Sequence, residues 1–71
     1  MNLSKFSDFG LAVKTKLLQT GKNQEWLVGE IEHSTGMFID GSYLSKILAG
    51  KRNPPKIVEA IREILDLEGK E

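Results

Sequence analysis

Three glycine breaks and one Pro-Pro pair divide this chain into four apolar-patterned segments, and that punctuation constrains its fold more than any other feature. Gly21, Gly36 and Gly50 each follow a stretch of helical periodicity, and glycine accepts the left-handed backbone with which helices commonly end. Pro54 pushes Asn53 out of the helical region. Pro55 suits a first helical position, where its missing amide has no partner to lose. The spacing predicts helices at about 7–20, 23–34, 41–49 and 55–67, each with an apolar stripe at the helical repeat.

In the first segment Phe9, Val13 and Leu17 recur every four residues, widened by Phe6, Leu11 and Leu18, with Lys14 and Lys16 off the stripe. Ser7 or Ser4 can cap it by accepting from first-turn amides. Asn23 caps the second, whose buried side is Leu27, Val28 and Ile31, and Glu25 sits where the helix dipole favours a negative charge. Asp40 or Ser42 caps the third. Its Leu44, Ile47 and Leu48 face the core, leaving Ser42, Tyr43, Ser45 and Lys46 outward or at the boundary. The fourth carries the strongest stripe, Ile57, Ala60, Ile61, Ile64 and Leu65, widened by Val58 and Leu67, with Glu59, Arg62 and Glu63 on its outer side. The tail from Glu68 to Glu71 is expected to fray. Between the second and third segments, Met37-Phe38-Ile39 reads either as an ordered loop whose Phe38 or Ile39 plugs the core or as a short strand.

A chain of 71 residues supports a single domain, and one this short gains only modest burial. It has no cysteine, so stability must come from helix packing or from association. No stretch approaches the roughly 18 apolar residues of a membrane span, and the first residues lack the pattern of a signal peptide. The expected location is the cytoplasm. Ten basic and ten acidic side chains cancel, but they are unevenly placed. Lys14, Lys16 and Lys22 lie in one stretch free of Asp and Glu. Lys46, Lys51, Arg52 and Lys56 lie in another, from Ser42 to Lys56. Such polarised charge builds a positive face on a neutral molecule.

Gln24 opening one helix, then Tyr43-Leu44-Ser45-Lys46-Ile47-Leu48, then Gly50-Lys51-Arg52-Asn53-Pro54, resembles the helix-turn-helix family of Cro and phage-repressor type, often called the Xre family. The resemblance runs from about Val13 to Leu67 and is strongest from Leu44 to Pro54; the ending Lys51-Arg52-Asn53-Pro54-Pro55 looks like a phage or mobile-element member. It implies an all-α, four- to five-helix, lambda-repressor-like domain that reads double-stranded DNA as a transcriptional regulator. It also implies a phosphate contact by Gln24. One departure is visible. Val28 and Leu44 stand 16 residues apart, which lengthens a turn that usually spans about three or four residues.

The physical reasons are independent of the family. A helix fits the major groove and its polar N-terminal side chains reach base edges, which points to Ser42, Tyr43 and Lys46, with Ser45 nearby. Lys51 and Arg52 follow on an exposed turn suited to phosphate contacts, and Asn53 adds a neutral hydrogen bond. One such module offers little contact area, so a homodimer on two half-sites is expected, with the apolar fourth helix a candidate dimer surface. Trp26 reads as a core residue or interface anchor. Lone His33 has no cysteine partner, and the sequence shows no paired nucleophile and base, glycine-rich phosphate loop or metal-ligand spacing. Neither an enzyme nor a cofactor is expected. The competing reading is a protein-binding module, such as an antirepressor or a subunit of a regulatory complex, motivated by the zero net charge, the acidic fourth helix and Trp26.

Overall fold

Local capping chemistry sets where each helix begins. The computed structural model describes residues 6–67; the alternative cap Ser4 and the tail Glu68–Glu71 lie outside them. Helix α1 spans Asp8–Thr20, α2 Gln24–Thr35, α3 Gly41–Leu48 and α4 Pro55–Ile64, with no strand among the described residues. The side chains of Ser7, Asn23 and Asp40 accept from the amides of Gly10, Trp26 and Tyr43 respectively, satisfying orphan donors of the first turn. Pro55 starts α4.

The core is built from the expected stripes. Val13, Leu17, Leu27, Ile31, Leu44, Ile47, Leu48, Ile57 and Ile61 are buried, joined by Ile39 and Leu65. Helix α2 packs on α4, and α3 packs on both α1 and α2. No polar or charged residue is buried among the described residues, so the interior carries no desolvated group needing a partner.

Two expectations, the width of the α1 stripe and the end of α4, are corrected, and the alternatives left open for the 36–40 loop are decided. Leu11 and Leu18 do not widen the buried stripe of α1: they are 37% and 78% exposed. At about 100° per residue both fall on the side of the helix away from Val13 and Leu17. The loop between α2 and α3, Gly36 to Asp40, is the expected ordered loop and not a short strand, and of its two candidate plugs Ile39 fills the core. Phe38 is 77% exposed and Met37 is exposed as well. Helix α4 ends at Ile64, three residues short of the expected Leu67. Asp66 takes a left-handed φ of 55°, and the Leu67 amide closes back on the Arg62 carbonyl at 2.8 Å. That turn lets Leu67 pack on the core from outside the helix. The apolar stripe of α4 is used up in this interior, with Ile57, Ala60, Ile61 and Leu65 all buried, so it offers no free dimer surface.

The seat of α3 is the contact that matters most for the site. Its last turn closes with Gly50 at φ 84°. The Gly50 amide donates to the Ile47 carbonyl at 3.1 Å and the Lys51 amide to that of Lys46 at 2.9 Å, a Schellman closure. The remaining carbonyl of Leu48 accepts both the backbone amide and the hydroxyl of Ser7, each at 3.1 Å. The start of α1 therefore caps the end of α3.

Candidate nucleic-acid interface

Helix α3 is eight residues long and strongly two-sided. Leu44, Ile47 and Leu48 are buried while Ser42, Ser45 and Lys46 are exposed. At about 100° per residue, Ser42 and Lys46 stand one turn apart along the outermost line, with Ser45 beside them. Tyr43 lies on the shoulder, half-buried, bordering a shallow hollow with Met37, Phe38, Asp40, Pro54 and Ile57.

The basic hook behind α3 is tied to it through the backbone. The carbonyl of Lys46 accepts from the amides of Lys51 at 2.9 Å and Arg52 at 3.4 Å. Lys51, Arg52 and Asn53 are all exposed. The Arg52 guanidinium donates from Nη1 to the Lys51 carbonyl at 3.0 Å. Lys46 thus presents an exposed side chain while its carbonyl ties the turn that carries the exposed Lys51 and Arg52 to the end of α3. From Gly41 to Lys56 the chain has no carboxylate. The nearest in sequence before it, Asp40, has its Oδ1 engaged by the Tyr43 amide at 2.8 Å.

Gln24 belongs to a second cluster. It is the first residue of α2, half-buried, and its Oε1 accepts a 2.8 Å hydrogen bond from Lys14 Nζ of α1. The Lys14 ammonium also lies 5.7 Å from the centre of the Phe6 ring, within cation–π range. With its oxygen occupied, the Gln24 side chain presents its NH₂ as a donor.

The sequence sets Lys14 in an acid-free stretch without any sign of its bond to Gln24, and it does not separate Phe38 from Ile39. Lys14 and Gln24 are ten residues apart across the Gly21 turn, and no local pattern signals their pairing. Trp26 is half-buried, with Lys22 Nζ 5.2 Å from its ring centre. His33 is exposed in the last turn of α2. Among the described residues no three His, Asp or Glu side chains are grouped to hold a metal ion, and no described helix is long and apolar enough to cross a membrane.

No protein-family model, curated protein or solved structure matches this chain, so the reading of the surface rests on its own geometry.

Proposed function

We propose that this protein binds double-stranded DNA as a transcriptional regulator of the Cro and phage-repressor kind, with α2 and α3 forming a lambda-repressor-like helix-turn-helix whose connecting loop is lengthened. The observation that carries this reading is the outer side of α3. A short helix held by a fully apolar underside presents Ser42, Ser45 and Lys46, and its own backbone anchors a turn bearing Lys51 and Arg52. Helices of this kind enter the major groove. Ser42, Tyr43 and Lys46 are assigned to base edges or adjoining phosphates, with Ser45 beside them. Lys51, Arg52 and Asn53 are assigned to the backbone on one side of the groove. Gln24, held by Lys14, is assigned to a phosphate at the other cluster.

The test is fluorescence anisotropy of a labelled random-sequence duplex at about 50 mM and about 200 mM salt, because phosphate contacts release counterions and make affinity fall with salt. Binding is expected to weaken steeply over that interval. The double variant Lys51→Ala with Arg52→Ala should weaken binding to every sequence and lower the salt slope by roughly two. An unchanged slope, or no binding at the lower salt, rejects the assignment.

A protein-binding role, as an antirepressor or a subunit of a regulatory complex, draws on one specific feature: Phe38 is 77% exposed beside α3, and large exposed apolar side chains grouped together mark interaction sites. A salt-independent hetero-complex without any DNA retardation selects that reading instead.

A further inference from the structure

Of the ten cationic side chains only two are arginines, Arg52 and Arg62, and both line the same hollow. Arg52 comes from the turn after α3 and Arg62 from α4, and both are exposed. Ser7, Phe9, Gly50 and Asn53 complete the polar and aromatic part of the lining, and no Asp or Glu is among the described residues there.

The charges of α4 are sorted by side. Val58 and Arg62, four residues apart, share one line of the helix and face this hollow. Glu59 and Glu63 share another line, and they border a different hollow with Lys56, Ser34 and Thr35. Asp66, four residues after Arg62, stands on the turn beyond α4 and lines neither. The acids nearest Arg62 in the helix are thus grouped with Lys56.

Both guanidinium groups are held by neutral partners. Arg62 lies with its guanidinium carbon 5.0 Å from the centre of the Phe9 ring, within cation–π range. Arg52 donates from Nη1 to the Lys51 carbonyl at 3.0 Å. Neither contact cancels a positive charge with a negative one. Each restrains a long side chain, so less freedom is lost when a ligand arrives. The Ser7 hydroxyl is already used, donating to the Leu48 carbonyl and accepting from the Gly10 amide, and forms only a wall. Asn53 is exposed and carries an amide donor. Two planar cationic forks and an amide, with no carboxylate beside them, match the oxygens of a phosphate group.

We propose that this hollow is a phosphate-binding site, with Arg52 and Arg62 as its charged ligands and Asn53 as the neutral one. A phosphate of the DNA backbone is the expected source, and that assignment rests on the DNA reading. Arg52 and Asn53 already belong to the proposed footprint, and Arg62 extends it from the turn after α3 onto α4. A free phosphate-bearing anion has the same chemistry and would use the same three residues.

The experiment has two arms, both on the full chain. In the first, a labelled random-sequence duplex is titrated with the parent, Arg62→Gln and Lys56→Gln between about 50 mM and about 200 mM salt. Loss of one phosphate contact lowers the slope of log K against log salt by roughly one, and the affinity at 50 mM salt by about tenfold. Arg62→Gln should show both effects. Lys56→Gln removes the same charge from the acid-bearing side of α4 and should show neither. Circular dichroism of Arg62→Gln should match the parent, because Arg62 is exposed. In the second arm, the arginine Nε–H signals of the nitrogen-labelled parent are followed by NMR as inorganic pyrophosphate is added at constant ionic strength. Both signals should shift and saturate, with a Kd of about 1 mM.

A duplex effect confined to Arg62→Gln assigns the site to the DNA backbone. If Arg62→Gln changes duplex binding no more than Lys56→Gln does, saturation of both arginine signals by pyrophosphate assigns it to a free phosphate. The same saturation with no duplex binding at all removes the DNA reading and leaves the site standing. The proposal is overturned if the specific duplex effect is absent and pyrophosphate fails to shift both signals to saturation.

Discussion

Gly10 of α1 lies so close to the carbonyl of Leu48 that a methyl group on its Cα would overlap that carbonyl's oxygen and carbon. The neighbour is backbone at the end of α3 and cannot rotate away. Gly10→Ala should therefore destabilise the fold by about 2 kcal/mol or more, although alanine is favoured over glycine in a helix by about 1 kcal/mol. Gly29, on the exposed part of α2 with open space around it, supplies the control. Gly29→Ala should stabilise by about 0.5–1 kcal/mol. Urea unfolding of the two variants checks both signs; equal signs would contradict the close approach.

Asp66 holds a left-handed backbone at the end of α4, at φ 55°, and places a carboxylate where the helix dipole is negative. Both effects oppose it. Asp66→Gly should raise stability by about 0.5–1 kcal/mol, read as a higher thermal midpoint. A lower midpoint would mean that the aspartate side chain contributes something the turn geometry does not reveal.

Phe38 and Ile39 are neighbours with opposite fates, the first 77% and the second 7% exposed. Ile39→Ala should cost about 2–4 kcal/mol. Phe38→Ala should move stability by no more than about 0.5 kcal/mol. Chemical denaturation separates them, and comparable losses would place both side chains in the core.

Lys14 and Gln24 should act on DNA as a unit. If Lys14 works by orienting the Gln24 amide, Lys14→Met weakens binding in the parent chain by about three- to tenfold but has much less effect in a Gln24→Ala background, the signature of coupled residues in a double-mutant cycle. Additive losses in the anisotropy assay would instead make Lys14 an independent phosphate ligand.

The helix starts were legible to within a residue or two because capping is local chemistry: Asn23 stands three residues before the amide it satisfies, Ser7 and Asp40 each do so as one of two candidates, and Pro55 opens a helix where its missing amide needs no partner. The outward set Ser42, Ser45 and Lys46 was legible for a related reason, since Leu44, Ile47 and Leu48 fix which side of α3 faces inward. Most of what failed was decided at longer range. Leu67 continues the apolar repeat of α4, yet it reaches the core through a turn that no glycine advertises. Leu11 and Leu18 are as apolar as Leu17, and once Val13 and Leu17 are fixed as the inward line the helical repeat sets both about 100° or more away from it. Within Met37-Phe38-Ile39 there is no periodicity to say which side chain points inward. The Lys14–Gln24 bond and the overlap at Gly10 depend on how helices meet, which spacing along one segment does not encode.

Ser7 reaches the end of α3 across 41 positions of the chain. The helix assigned to the groove thus has its terminus completed by a residue from the opposite end of the molecule. A peptide comprising α2 and α3 alone would leave the Leu48 carbonyl without these two donors and strip away α1's side of the interior. The proposed DNA-reading element is consequently not a detachable cassette: moved into another scaffold without its first helix, it would lose its shape before it lost its chemistry.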